Sequence, residues 1–142
     1  MAAQSTASTT WEGDLAHGTG TTTPQSGAFQ PVEVTWASRT SRSQGKTSPE
    51  ELLAAAHASC YCMALSHELA ESGTPPGRLE ATATVDFDPG EGVRSSRITV
   101  TGNVDGIDQA RFEEAANAAG EGCPISGALK GNVDISVDAT LE

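Results

Sequence analysis

Basic side chains are scarce in this 142-residue chain: 8 Lys and Arg stand against 19 Asp and Glu, a net charge of -11. A surface of that sign repels phosphate, which argues against nucleic acid and anionic membranes as partners. Cysteine is scarce too, and three is both an odd number and too few for a disulfide scaffold. No apolar run reaches the roughly 18 residues of a membrane span, because His57, Ser59 and Ser66 interrupt the most apolar stretch. Internal repeats and long linkers are missing, so the length fits a single domain over 1–142, with room for a real core but not for two domains of ordinary size. Met1-Ala2-Ala3-Gln4-Ser5-Thr6 has neither a basic n-region nor an apolar h-region. The expected location is therefore cytoplasmic, where thiols stay reduced. In that compartment a cysteine fills a core, holds a metal or reacts.

What is present reads as α+β. β-branched residues separated by turn formers predict a strand pair between Thr6 and Thr23, and the alternation Val32-Glu33-Val34-Thr35-Trp36 predicts a third strand. A polar loop is expected over 40–47. Ser48-Pro49-Glu50-Glu51 then supplies a hydroxyl N-cap, a proline at the first helical position and a glutamate to complete a capping box. The helix should run to Ser72, with Gly73 as its left-handed stop and Pro75-Pro76 preventing continuation. Its middle has almost no charged face, so protein is expected on all sides of it. Strict alternation over Leu79 to Phe87, and similar patterns over 93–104 and 133–141, predict half-buried strands of an antiparallel sheet with one wet face. A second long helix is expected from Ile107 to Ala119, inward at Ile107, Ala110, Ala115 and Ala118 or Ala119 and stopped by Gly120. Pro124 opens a short helix with Cys123 at its N-cap.

Cys60 and Cys62 lie two apart on one helix, where 100° per residue turns them about 200° away from each other. They cannot pair with each other. A redox pair must join one of them to Cys123. His57 shares the face of Cys60, whereas Cys62 lies on the other side. Cys123 has its own reason to react: at a helix start its thiolate faces unpaired N–H groups and the positive end of the dipole. It is an attacking or a resolving group. Against these readings, a cysteine in a core helix is commonly a small hydrophobe, which suits Cys62, and His57 alone is ordinarily a satisfied core or interface histidine. Zinc is the weaker reading of His57, Cys60, Cys62 and Cys123, because Cys60 and Cys62 point apart and the spacing matches no closed site. No metal is expected.

Trp11-Glu12-Gly13-Asp14, the block Thr47-Ser48-Pro49-Glu50-Glu51-Leu52-Leu53-Ala54-Ala55-Ala56-His57-Ala58-Ser59-Cys60-Tyr61-Cys62-Met63, and Gly122-Cys123-Pro124-Ile125-Ser126 together resemble the OsmC/Ohr family of thiol peroxidases, more its osmotically inducible branch. The resemblance implies an intertwined homodimer, strands wrapped around long central helices. It implies Cys60 as the peroxidatic cysteine, Cys123 as its resolving partner, and Glu50 and Arg39 beside the thiol. The segment between Arg39 and Pro49 is one residue longer than the family pattern, which keeps Arg42 as an alternative; Cys62 and Tyr61 stand where serine and phenylalanine are usual.

The implied reaction reduces organic hydroperoxides, and hydrogen peroxide less efficiently, through a Cys60 sulfenic acid and a Cys60–Cys123 disulfide, in oxidative or osmotic stress defence. No bound cofactor is implied; an external dithiol, of lipoyl type or another small thiol, reduces the disulfide. Ten residues separate Glu50 from Cys60, about 15 Å on a straight helix. Either the helix breaks near His57, or Glu50 serves a site on the partner subunit; the second is favoured. The competing readings are a small-molecule-binding dimer with inert cysteines and a redox sensor without turnover.

Overall fold

Residues 1–42 and 45–142 are described by the computed structural model; Ser43 and Gln44, within the expected 40–47 loop, lie outside the described residues. The chain forms two compact units, Met1–Leu52 and Leu53–Glu142.

In the first unit the expected strand pair is β1 (Ala7–Glu12) and β2 (Thr19–Pro24), with β3 (Val32–Val34) added antiparallel in the order β1-β2-β3. Gly20 on β2 has no room for a side chain: a Cβ there would stand 2.7 Å from Val34 Cγ2 and 2.8 Å from the Trp11 ring. The third strand stops at Val34, two residues earlier than its alternation predicts. Thr35 instead N-caps a short helix, α1 (Trp36–Thr40). Its hydroxyl accepts from the Ser38 N–H and the Ser38 hydroxyl accepts from the Thr35 N–H, both at 3.0 Å. This is a capping box with serine in the usual place of glutamate, and it satisfies two backbone donors that a continued strand would have left for a neighbour. The buried non-glycine side chains described in this unit are Ser38, Thr47, Ser48 and Glu50, all polar.

The long helix α2 (Pro49–Glu71) begins and ends as its sequence predicts. The Ser48 hydroxyl accepts from the Glu51 N–H at 3.1 Å. The capping box is only half built, because the Glu51 carboxylate turns to the Thr47 hydroxyl, 2.6 Å away, rather than back to Ser48. At the other end Gly73 takes φ +83°, Thr74 N–H reaches the Leu69 carbonyl and Gly73 N–H the Ala70 carbonyl, the paired bonds of a Schellman stop. The expectation of protein on every side is not met within the chain. His57, Tyr61, Leu65 and Leu69 form a buried stripe at every fourth residue, while Ser59, Met63 and His67 are exposed. The uncharged face consists largely of Ala and Ser, which tolerate water as well as burial, so low charge alone did not specify a fully buried helix.

The second unit adds β4 (Arg78–Asp88), β5 (Gly92–Asn103), α3 (Gln109–Gly122), α4 (Pro124–Leu129) and β6 (Asp134–Leu141), with sheet order β4-β5-β6. β4 and β5 are antiparallel as expected, but β6 runs parallel to β5. Two helices connect β5 to β6, enough chain to return to the starting end of the sheet, which a parallel pairing requires. The alternations of β4 and β6 hold, the latter with Val133, Ile135, Val137, Ala139 and Leu141 turned inward, whereas that of β5 shifts by one residue at a bulge opposite Asp86 and Phe87, after which Ser96, Ile98 and Val100 face inward. The second long helix is shifted: Asp108 caps it, and its buried face is Phe112, Ala116 and Ala119, with Ile107 and Ala115 half-buried against the core as expected and Ala110 exposed. Gly120 does not stop it. A Cβ there would meet Val137 Cγ2 at 3.3 Å, so Gly120 is a notch that lets β6 approach α3. The helix ends where Cys123 turns extended (φ -70°, ψ 119°) ahead of Pro124.

Two clasps fix this packing. The Gln109 amide donates to the Ala139 carbonyl (2.9 Å) and accepts from the Leu141 N–H (2.7 Å), tying α3 to the edge strand β6. The Tyr61 hydroxyl donates to the Ala116 carbonyl at 2.8 Å, joining α2 to α3. Gly102 on β5 lies under Phe112, whose ring would stand 2.5 Å from an added Cβ. Gly102→Ala should therefore cost about 1–3 kcal/mol in urea unfolding through overpacking, whereas Gly122→Ala, at a helix end with nothing within 4 Å, should cost none. Equal midpoints for the two variants would contradict this packing.

Candidate active site

The candidate site residues gather in two constellations, one in each unit. In the first unit, Arg39 on α1 forks onto Glu50 in the first turn of α2: Nε lies 2.9 and 3.2 Å from the two carboxylate oxygens and Nη2 lies 2.7 Å from Oε1. The short α1 exists because of the Thr35 cap, so the cap is what aims Arg39. Glu50 is buried, and the two-pronged hydrogen bond gives its carboxylate a charged partner of matching geometry. The guanidinium also lies over the Trp36 ring, 5.9 Å from its centroid. Arg42, the alternative, turns elsewhere: it donates to Ser48 Oγ at 2.9 Å and lies 3.4 Å from the exposed Glu51 carboxylate. Of the two arginines, Arg39 is the one that Glu50 holds.

In the second unit Cys60 and Cys123 are free thiols within hydrogen-bond reach of each other. α2 presents Cys60, and the bend between α3 and α4 delivers Cys123. Burial pushes the Cys60 thiol up, and the neighbouring Cys123 adds to the effect although the Ile125 N–H works against it. Burial also penalises a thiolate at Cys123, but hydrogen bonds from the Ser126 N–H and hydroxyl, from Cys60 and from the Ile125 N–H outweigh it and leave Cys123 below its ordinary value. Cys62 faces away from the pair, as the 200° turn requires. Burial pushes its thiol up, opposed by a hydrogen bond from the Ala81 N–H of β4. It behaves as a small apolar side chain.

His57 is completely buried on the same stripe of α2, with Nδ1 2.6 Å from Ser96 Oγ on β5 and Nε2 2.7 Å from Ser126 Oγ on α4. Burial pushes its imidazole down, toward the neutral form. Sequence reasoning took His57 as a satisfied core or interface residue, and satisfied it is. The serines that satisfy it were missed as site residues, although Ser126 sits three positions after Cys123, one helical turn on. Among the described residues no three of His, Cys, Asp and Glu converge as a metal-ligand set, and no helix is long and apolar enough to cross a membrane.

The fold and the vicinal thiols define a cysteine-based redox protein. Residues 42–138 match the family model described as OsmC-like protein. The chain is 37% identical over 135 residues to peroxiredoxin OsmC of Escherichia coli K12, covering 93% of this chain and 92% of that one. It is 33% identical over 96 residues to the organic hydroperoxide resistance protein OhrB of Bacillus subtilis 168, 67% of this chain and 71% of that one. The crystal structure of B. subtilis OhrB superposes with a TM-score of 0.68 at 29% identity, covering 95% of this chain and 98% of that one. The chain belongs to the OsmC/Ohr family.

The buried neutral imidazole has a consequence for stability. Its folded pKa lies below the unfolded one, so the unfolded chain binds a proton that the native protein refuses. Stability is full above about pH 6.5 and falls as the pH drops below it. Between about pH 7 and 5.5 the urea midpoint of the wild type should fall more than that of His57→Asn. Equal falls would mean that His57 is not held neutral.

Proposed function

We propose that the protein is a cysteine-based, thiol-dependent peroxidase that reduces hydroperoxides in stress defence, with Cys60 as the attacking and Cys123 as the resolving thiol. The observation that carries this reading is the pairing of two free thiols, one on α2 and one in the bend between α3 and α4, in a chain whose relatives are named peroxiredoxin and organic hydroperoxide resistance protein. The Cys60 thiolate attacks one peroxide oxygen, an S–O bond forms as the O–O bond breaks, and the alkoxide or hydroxide leaves and takes up a proton. Cys60 is now a sulfenic acid. The Cys123 sulfur attacks Cys60, an S–S bond forms, and the departing hydroxide leaves as water with the thiol's proton. An external dithiol, of lipoyl type or another small thiol, reduces the disulfide and is itself oxidised to a disulfide. No prosthetic group takes part.

Attack by Cys60 needs a thiolate where burial disfavours one, and hence a cation. Arg39, oriented by Glu50, is that cation: it holds the thiolate and polarises the peroxide. α2 is unbroken from Pro49 to Glu71, so the alternative of a break near His57 falls away. The Arg39–Glu50 pair then serves Cys60 across a homodimer, each unit of 1–52 completing the site of the other copy. Two features support the dimer: residues 1–52 bury no apolar side chain among those described, and every residue of β1 is exposed. A 52-residue segment without an apolar core needs another surface. Both units are read as parts of one peroxidase domain, 1–142, in the cytoplasm.

Hydroperoxide consumption with a dithiol reductant tests the assignment. Cys60→Ser should abolish turnover, Cys123→Ser should stop disulfide cycling, and Cys62→Ser should stay within about twofold of wild type. Activity that persists in Cys60→Ser while Cys62→Ser is dead would reassign the nucleophile, and a binding or sensor role would show as no turnover in the wild type. Arg39→Lys, which keeps charge but loses the fork, should lower kcat/KM by about tenfold or more. A dilute, fully active monomer would refute the shared site.

A further inference from the structure

Three hydroxyl- or nitrogen-bearing side chains line up behind the resolving thiol, all completely or almost completely buried. Ser96 Oγ lies 2.6 Å from His57 Nδ1, His57 Nε2 lies 2.7 Å from Ser126 Oγ, and Ser126 stands one helical turn after Cys123, where its hydroxyl favours a charged Cys123 sulfur. The residues come from β5, α2 and α4, so three elements converge on a chain of hydrogen bonds that ends at a reactive sulfur. No buried side-chain nitrogen or oxygen among the described residues is left without a partner.

We propose that His57 is a positioning residue for the resolving step: through Ser126 it holds a hydrogen-bond donor on the Cys123 sulfur and so presents Cys123 as a thiolate to the Cys60 sulfenic acid. The inference rests on the reading of Cys123 as resolving thiol. Its logic is a tautomer. A neutral imidazole has one N–H and one bare nitrogen, so the direction of the whole chain is set at once. With Ser96 donating to Nδ1, Nε2–H donates to Ser126 Oγ, and the Ser126 proton is left to point at sulfur. Reverse the tautomer and the Ser126 proton points at the imidazole instead, which leaves Ser126 able only to accept from a Cys123 S–H. The first polarity fits the thiolate and the second the thiol. Neither requires an imidazolium, in keeping with the burial of His57.

The chemistry closes without a further reagent. Cys60–SOH and Cys123–SH yield the disulfide and one water: the S–S bond forms, the S–O bond breaks, and the thiol's proton leaves in the water. Cys60 sulfur is reduced as Cys123 sulfur is oxidised. His57 and Ser126 end as they began, so they orient and stabilise rather than react.

The titratable groups that face Cys123 are Cys60, Tyr61 and His57, all on α2. Cys60→Ser removes the first, and burial holds Tyr61 as a neutral phenol. In that background the ultraviolet absorbance of the Cys123 thiolate is titrated, with Cys60→Ser/Cys123→Ser as the blank. Adding Ser126→Ala or His57→Phe should move the titration to higher pH, and Ser126→Thr, which keeps the hydroxyl, should restore it. In proteins with all three cysteines, disulfide closure after one equivalent of hydroperoxide should slow by about tenfold in Ser126→Ala, the worth of one hydrogen bond to a charged sulfur. Circular dichroism and thermal melts report whether each variant is folded, and Ser126→Ala is the conservative arm if His57→Phe is not. An unmoved Cys123 titration in folded Ser126→Ala overturns the proposal. Because that readout needs no turnover, the two failures are distinguishable: an unmoved titration in a protein that still consumes hydroperoxide overturns this proposal alone, whereas a wild type that consumes none overturns the peroxidase reading and the resolving role with it.

Discussion

A thiol on a helix becomes half of a redox couple only when a second sulfur is held against it, and residues 53–142 are organised around that one juxtaposition. Cys60 is fixed by the α2 stripe His57, Tyr61, Leu65 and Leu69. Cys123 is fixed by a bend that must fall between α3 and α4, where an extended residue is followed by Pro124. The Tyr61 hydroxyl locks α2 to α3, Gln109 locks α3 to β6, and the Gly102 and Gly120 notches let both layers close to contact. Loosening any of these contacts would separate two atoms that need van der Waals contact to react.

Electrostatics divides the pair unequally. Cys123 has backbone and hydroxyl donors at its sulfur, so its charge is stabilised from within its own unit. Cys60 is the less buried of the two, yet burial raises its thiol and Cys123 beside it adds to the effect. An attacking thiol with this handicap needs an external cation, and the Arg39–Glu50 fork is built to be presented as a rigid group rather than a swinging one. In this account the order of attack is controlled by access to that cation. On the proposed assignment Cys123 is in place before the copies meet, and Cys60 is completed by assembly.

Much of this was legible in the sequence, and for identifiable reasons. Ser48-Pro49 and Gly73 bracket α2 through local capping chemistry, so both ends follow from nearby residues. The period-two patterns of β4 and β6 report which side chains face inward, but alternation carries no direction, and the parallel pairing of β6 was invisible. Gly120 reads equally as a helix stop and as a packing notch, and only Val137, distant in sequence, decides between them. Thr35-Trp36 continued the alternation of β3 and so concealed a capping box closed by serine. The same limit applied to the site. Arg39 and Arg42 are alike as loop cations until Glu50 chooses between them, and His57 looked bland because Ser96 and Ser126 lie 39 and 69 residues away from it.

The central claim is that one specific pair of the three thiols carries the chemistry. Peptide mapping by mass spectrometry after one equivalent of an organic hydroperoxide, with free thiols blocked before digestion, tests it most directly. A Cys60–Cys123 disulfide with Cys62 blocked as a free thiol is the predicted result. A disulfide that includes Cys62, or a stable over-oxidised Cys60 with Cys123 still free, would contradict it.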